Sequence, residues 1–131
     1  MPYTHVVNNN VTYSAGSANT RAEFSYSQTA GAEANLSEEY TDATDSLTAW
    51  EMDVSQLKSI IMVATGGDIT VETNDGVTPG DTISLTDGVP VIYTAADSSS
   101  TNPLTTDVTA LYITNTGTAT LKINALYDPT V

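Results

Sequence analysis

Few side chains in this sequence can act as a nucleophile, a general base or a phosphate ligand. The chain has no cysteine, a single histidine (His5) and three cationic side chains, Arg21, Lys58 and Lys122. A serine–histidine–aspartate arrangement would have to use His5, which lies in a polar segment with little around it to form a core. This inventory predicts a protein that is not an enzyme and that works by presenting a surface.

Carboxylates are abundant, and their chemistry would be cation binding or glycoside hydrolysis. Asp42 and Asp45 follow Glu38 and Glu39, and Ca²⁺ prefers oxygen ligands of this kind. The spacing matches no EF-hand loop, so a solvated acidic turn is the favoured interpretation, and cation binding stays open. With sixteen acidic residues, some pair will always meet the spacing that glycosidases use, and nothing selects one pair. We predict neither a metal nor a cofactor.

The net charge of −13 bears on the class of partner. Such a field repels phosphate backbones and anionic lipid, and the sequence contains no basic stripe to overcome it. We therefore predict no nucleic-acid partner and no membrane partner. Solubility explains the acidity most simply. The alternatives are a basic partner surface and cation binding.

The aromatic residues offer the other binding chemistry. Trp50 alternates with charged neighbours on a predicted strand, which indicates a core position, with a sugar-stacking platform as the alternative. Tyr3 and Tyr13 lie in the polar N-terminal segment. Tyrosine combines a rigid apolar ring with a polar tip and is enriched at interfaces, so these two residues are candidates for contact with another subunit.

Short β-branched segments must position these residues. Apolar and polar residues alternate from Trp50 onwards, and Gly, Asp, Asn and Pro break the segments at intervals near ten residues. The segment 33–40 fits either a strand or a helical turn, and we favour the strand. Asp53 has capping-box spacing for a single helical or 3₁₀ turn. The pattern predicts an all-β fold, an antiparallel β-sandwich or jelly-roll-like domain of about eight or nine strands.

A chain of 131 residues is long enough for one domain. We divide it into an extended N-terminal arm, residues 1–20, and a single β-sandwich domain, residues 21–131. The arm has too few apolar residues to repay its ordering entropy alone, so we expect it to be disordered or to become ordered only against a neighbour. Its candidate anchors to a partner are Tyr3, Val6, Val7, Val11 and Tyr13.

The predicted core follows from period-two placement on the strands. It consists of Phe24, Trp50, Met52, Ile61, Val63, Ile69, Val71, Ile83, Leu85, Leu111, Ile113, Leu121 and Ile123.

Five segments in the second half of the chain carry a family resemblance. They read ITVETN (69–74), DTISL (81–85), NPLTTDV (102–108), LYITN (111–115) and LYD (126–128). In these segments the sequence resembles the small β-sandwich decoration, or cement, proteins on the capsids of tailed bacteriophages. The resemblance covers roughly residues 47–131. It implies a jelly-roll-like module, commonly trimeric, that clamps neighbouring major capsid subunits.

The resemblance leads to the functional expectation. We expect a virion structural protein on the capsid surface that stabilises the shell of the major capsid protein and forms a homotrimer. One alternative is a carbohydrate-binding or host-surface-binding module of a virion, and another is a small hydrolase with paired carboxylates. A place in the head or the tail, and the surface that faces the capsid, stay open.

Overall fold

The structure is a computed structural model of the chain. It describes residues 3–15, 18–98 and 100–129, with the backbone alone for residues 7, 9–15 and 18–26. The described strands are β1 (Tyr3–Ala15), β2 (Ala18–Ala30), β3 (Ala32–Thr41), β4 (Ser46–Thr48), β5 (Leu57–Thr65), β6 (Ile69–Thr73), β7 (Thr82–Leu85), β8 (Val91–Thr94), β9 (Leu111–Asn115) and β10 (Thr118–Tyr127), with a 3₁₀ turn at Val54–Gln56.

The eight strands from β3 to β10 form two antiparallel four-stranded sheets. The first has the order β3-β10-β5-β8 and the second the order β4-β9-β6-β7. The pairs β3 with β10, β4 with β9, β5 with β8 and β6 with β7 are nested, as in a long hairpin rolled into two layers. This nesting is the topology of a jelly roll. The predicted all-β sandwich is confirmed.

Local signals in the sequence correspond to the observed turns. The segment 33–40 is a strand, because β3 pairs with β10 along its whole length. The side chain of Asp53 caps the 3₁₀ turn by accepting a hydrogen bond from Ser55 N at 3.0 Å. Between β9 and β10, Gly117 has a φ of 73°, a left-handed conformation that glycine adopts without steric cost.

The core lies between the two sheets and confirms most of the predicted set. Ten predicted members are buried: Trp50, Met52, Ile69, Val71, Ile83, Leu85, Leu111, Ile113, Leu121 and Ile123. Phe24 belongs to the residues whose side chains lie outside the description. Further buried members, which the period-two pattern did not select, include Tyr40, Leu57, Leu104 and Val108.

The prediction for Ile61 and Val63 is wrong. The buried residues of β5 are Ile60, Met62 and Ala64, whereas Ile61 and Val63 are only partly buried on the opposite, outer face. The five residues from Ile60 to Ala64 are all apolar, so alternation could not select the inward phase. Ile61 lies opposite Asn124 of β10 and Ile92 of β8, on the same outer face.

The first two strands form a separate two-stranded sheet, which we call the ribbon (residues 3–30). β1 and β2 are thirteen residues long and pair antiparallel from Tyr3 with Ala30 to Ala15 with Ala18. The structure therefore differs from the expectation that the N-terminal segment orders only against a neighbour. That expectation considered the burial of side chains, whereas the segment finds its partner through backbone hydrogen bonds to β2. The division at residue 20 falls inside β2.

Candidate functional site

By register, one face of the ribbon carries most of its larger apolar residues together with His5, Asn9, Thr20 and Gln28, and the other face is almost entirely polar. Alternate residues of a strand lie on opposite faces, and directly paired residues share a face. The pairing therefore places the larger apolar residues at positions of one face, which we call the apolar face: Tyr3, Val7, Val11, Tyr13, Ala22, Phe24 and Tyr26. The opposite face carries Thr, Ser, Asn, Arg21 and Glu23, with Val6 as its one larger apolar residue.

The predicted anchors therefore divide between the two faces. Tyr3, Val7, Val11 and Tyr13 occupy the apolar face, and Val6 occupies the polar face. Among those whose side chains are described, Tyr3 is 45% exposed and Val6 is 55% exposed. Phe24 and Tyr26 occupy register positions of the same face. The register of β1 with β2 was the missing information, because the pattern along one segment does not determine it.

A cleft of about 540 Å³ lies where β1 meets the outer face of the first sheet. On the ribbon side it is lined by Thr4, His5, Val6 and Asn8. Its other lining residues come from all four strands of the sheet: Glu33 of β3, Asn124 of β10, Ser59, Ile60 and Ile61 of β5, and Ile92 of β8. The volume is in the range of sites that bind small ligands.

The cleft combines an apolar floor with polar groups. Ile61 and Ile92 form an opposite pair on the sheet. His5 Nδ1 lies 3.3 Å from Ser59 Oγ, within hydrogen-bond distance, and this contact fixes β1 against β5. Asn35 Nδ2 donates a hydrogen bond to Glu33 Oε2 at 2.8 Å, which orients the carboxylate. Sequence reasoning missed this site, although apolar residues on both faces of β5 were the signal that its outer face is also covered.

The acidic segment around Asp42 and Asp45 serves the turn after β3. Asp42 Oδ1 accepts a hydrogen bond from Gly117 N at 2.7 Å, and Asp45 N donates to Thr114 Oγ1 at 3.1 Å. Both aspartates have a positive φ, near 47° and 46°. Within the ranges that the structure describes, no group of three or more His, Cys, Asp or Glu residues could hold a metal ion.

Tyr40 joins the two sheets at one end of the sandwich. Burial raises the pKa of Tyr40 to about 12, and the nearby Glu38 carboxylate adds to this rise while the hydrogen bond with Thr48 opposes it. The Tyr40 hydroxyl lies 2.5 Å from Thr48 Oγ1 of β4 and donates to Glu38 Oε2 at 3.1 Å. A displaced pKa often marks an active site, but packing between β3 and β4 explains this one.

Asp81 holds the loop before β9 against the start of β7. Its carboxylate accepts hydrogen bonds from Thr105 N at 2.9 Å and Thr105 Oγ1 at 2.6 Å, and weaker ones from Thr106. Partial burial works to raise the pKa of Asp81, but the hydrogen bonds from the two threonines outweigh it and lower this pKa below its ordinary value. The charged form of Asp81 therefore stabilises the folded state.

Asp81→Asn should reduce stability at neutral pH by about 1–2 kcal/mol, since it weakens hydrogen bonds to a charged acceptor. A lowered pKa in the folded state means that the contribution is full above the unfolded pKa. It is lost as the pH falls through the folded value. The difference in unfolding free energy between wild type and variant should therefore shrink below about pH 4. Urea unfolding at several pH values measures this difference, and the exposed Glu51→Gln variant is the control. A difference that does not change with pH would contradict the stabilising role of charged Asp81.

The comparisons with known proteins complete the description of the site. No family model matches the chain, and no curated protein or solved structure matches it either. No helix in the described part of the chain is long and apolar enough to cross a bilayer.

Proposed function

We propose that this chain is a non-enzymatic virion structural protein of the decoration type, which binds and stabilises a shell of major capsid protein. The observation that carries the proposal is the division of the molecule into an acidic jelly roll and an amphipathic ribbon. Jelly rolls are common in viral capsid proteins. The resemblance of residues 47–131 to decoration proteins supports the same class, with the capsid surface as its location.

Charge is divided unequally between the two parts. The ribbon contains one acid and one base, Glu23 and Arg21, and is neutral. The other fifteen acids and two lysines all follow residue 30, so the sandwich holds the whole net charge of −13. Two sandwiches repel each other, whereas two ribbons do not. The ribbon is thus the part of the chain through which copies can approach.

The ribbon also needs a partner on energetic grounds. The ribbon contacts the first sheet near His5, and the rest of its length is a two-stranded hairpin, which alone is at best marginally stable in water. Its apolar face is therefore the proposed contact with other copies in a homotrimer, with cyclic closure as the common way to cover such faces. The sandwich edges suit this role less well. β4, β7 and β8 are short, and the longer edge strand β3 exposes Glu33, Glu38 and Glu39, which oppose edge pairing.

The alternative of a carbohydrate-binding or host-surface-binding module loses its main candidate platform. Trp50 is 6% exposed and belongs to the core, as the alternation in the sequence indicated, so its ring cannot stack on a sugar. It lies between β4 and the 3₁₀ turn and not on one of the described strands. Among the aromatic residues whose side chains are described, Tyr3 is exposed, and this alternative would use it.

Val11→Asp tests the ribbon contact, because it places a charge on the apolar face. We expect the wild-type chain to form an oligomer in light scattering and to co-sediment with empty capsids of its phage. The variant should be monomeric and should bind capsids at least tenfold more weakly, since a buried unpaired charge is costly. Thr12→Asp adds the same charge at the neighbouring position on the polar face, opposite Arg21, and should leave both properties unchanged. Equal effects of the two variants would contradict the assignment, and a wild type that does not bind capsids would contradict the proposed function.

A further inference from the structure

The cleft beside the ribbon has a definite chemical preference. Its apolar part consists of Ile61 and Ile92 on the floor and Val6 on the ribbon side. Glu33 is the only carboxylate among the lining residues, and no lysine or arginine is among the residues that the structure places there. Asn8, Asn124 and Thr4 add side-chain oxygens. A cleft that combines apolar side chains with a carboxylate and amide oxygens suits an aliphatic chain with a cationic end.

The surroundings strengthen this preference. The cleft belongs to a molecule with a net charge of −13, whose field concentrates cations and excludes anions. Glu33 is exposed and is held by Asn35 at 2.8 Å, so its carboxylate is oriented before any ligand arrives. An ordered carboxylate loses less entropy on binding than a mobile one.

Contacts hold both sides of the cleft. The His5–Ser59 contact at 3.3 Å joins the ribbon side to the sheet, and Ser59 is only 2% exposed. The sheet side rests on β5 and β10, which pair along most of their length.

From these features we propose that the cleft receives a lysine or arginine side chain of a partner protein. The aliphatic stem lies on Ile61, Ile92 and Val6, and the ammonium or guanidinium group binds Glu33, with the oxygens of Asn124 and Asn8 beside it. Under the proposed function this partner is the major capsid protein, and the inference rests on that function only for the partner's identity.

The binding chemistry is tested with peptides and no capsid. The probe is acetyl-glycyl-lysyl-glycine amide, its arginine counterpart, and a control in which norleucine replaces lysine. Methyl NMR on the full chain should show shifts at the δ1 methyl groups of Ile61 and Ile92 with the cationic peptides. The core methyl groups of Ile69 and Ile113 should not respond. Norleucine keeps the stem without the charge and should bind at least fivefold more weakly.

Two variants distinguish the contribution of the Glu33 carboxylate from that of the negative charge of the whole molecule. Glu33→Gln should weaken binding of the lysine peptide about fivefold, as expected for one partly exposed charge pair. Glu39→Gln removes the same charge from the same strand outside the cleft and should have a much smaller effect. Equal effects of the two variants, or equal binding of the norleucine peptide, would overturn the inference.

Capsid binding distinguishes this inference from the proposed function. If wild-type protein binds capsids but no cationic peptide shifts Ile61 or Ile92, the cleft assignment is wrong and the proposed function stands. If the peptides bind in the cleft but wild-type protein does not bind capsids, the proposed function is wrong and the cleft assignment stands.

Discussion

Replacing Trp50 by alanine should lower the free energy of unfolding by about 3–5 kcal/mol. Trp50 is 6% exposed and belongs to the core cluster between the two sheets, so the substitution removes buried apolar surface and leaves a cavity. The segment after it is also tied to the loop before β9, since Met52 and Val108 exchange backbone hydrogen bonds at 3.0 and 2.8 Å. The surrounding backbone therefore has little freedom to close the cavity.

Trp50→Phe is the matched control, because it keeps an aromatic ring and removes the indole N–H. Nε1 of Trp50 is buried and has no hydrogen-bond partner among the residues that the structure describes. A buried donor without a partner is unfavourable, so its removal offsets part of the loss of volume. We expect a cost within about 1 kcal/mol for this variant. Urea unfolding of both variants measures the difference, and a Trp50→Ala variant as stable as wild type would exclude Trp50 from the core.

Sequence reasoning succeeded where one strand face is polar and each turn has its own chemistry. Ile69 and Val71 alternate with Thr70 and Glu72, and the structure buries the first pair as predicted. Gly117 follows a β-branched segment and ends the turn between β9 and β10. In such segments the periodicity and the turn residues point to the same register, so a single sequence is sufficient.

The same reasoning failed for the ribbon, because its order depends on pairing between two segments that are both weakly apolar. Val11 and Ala22 are paired in the structure, but neither residue alone indicates a core. The cleft was equally hidden, since Glu33, Ile92 and Asn124 belong to three strands far apart in sequence. Only the nested jelly-roll pairing brings them to one surface, and a pattern along the chain does not encode that proximity.

The strand β5 shows most clearly that a pattern along the chain does not always determine which face of a strand points to the core. Its residues 60–64 are all apolar, so either set of alternate residues could face the core according to the hydrophobic pattern. The structure resolves the ambiguity through its neighbours, because Val63 lies opposite Lys122 and Ile61 lies opposite Asn124. Polar partners mark the outer face. Met62 lies opposite Ile123, another buried residue, and this marks the inner face.

Aspartate substitutions should distinguish the inner face of β5 from its outer face by a large difference in the free energy of unfolding. Met62 is fully buried, and Met62→Asp places a carboxylate between the sheets, where no cationic side chain is among the buried residues that the structure describes. The expected cost is above about 4 kcal/mol, which approaches the whole stability of a domain of this size. Val63→Asp places the same charge on the outer face opposite Lys122, where an opposite-charge pair forms across the strands. We expect that variant to stay within about 1 kcal/mol of wild type.

Circular dichroism and urea unfolding measure both variants, and Met62→Ala provides a milder test if Met62→Asp does not fold. The alanine variant should lose about 2–5 kcal/mol, because it creates a cavity next to Ile123. Val63→Ala removes less buried surface and should lose clearly less. The opposite order, with the Val63 variants more damaging than the Met62 variants, would mean that β5 presents its other face to the core. In that case Ile61 would lie between the sheets, and the cleft would lose the floor on which the binding of a cationic side chain depends.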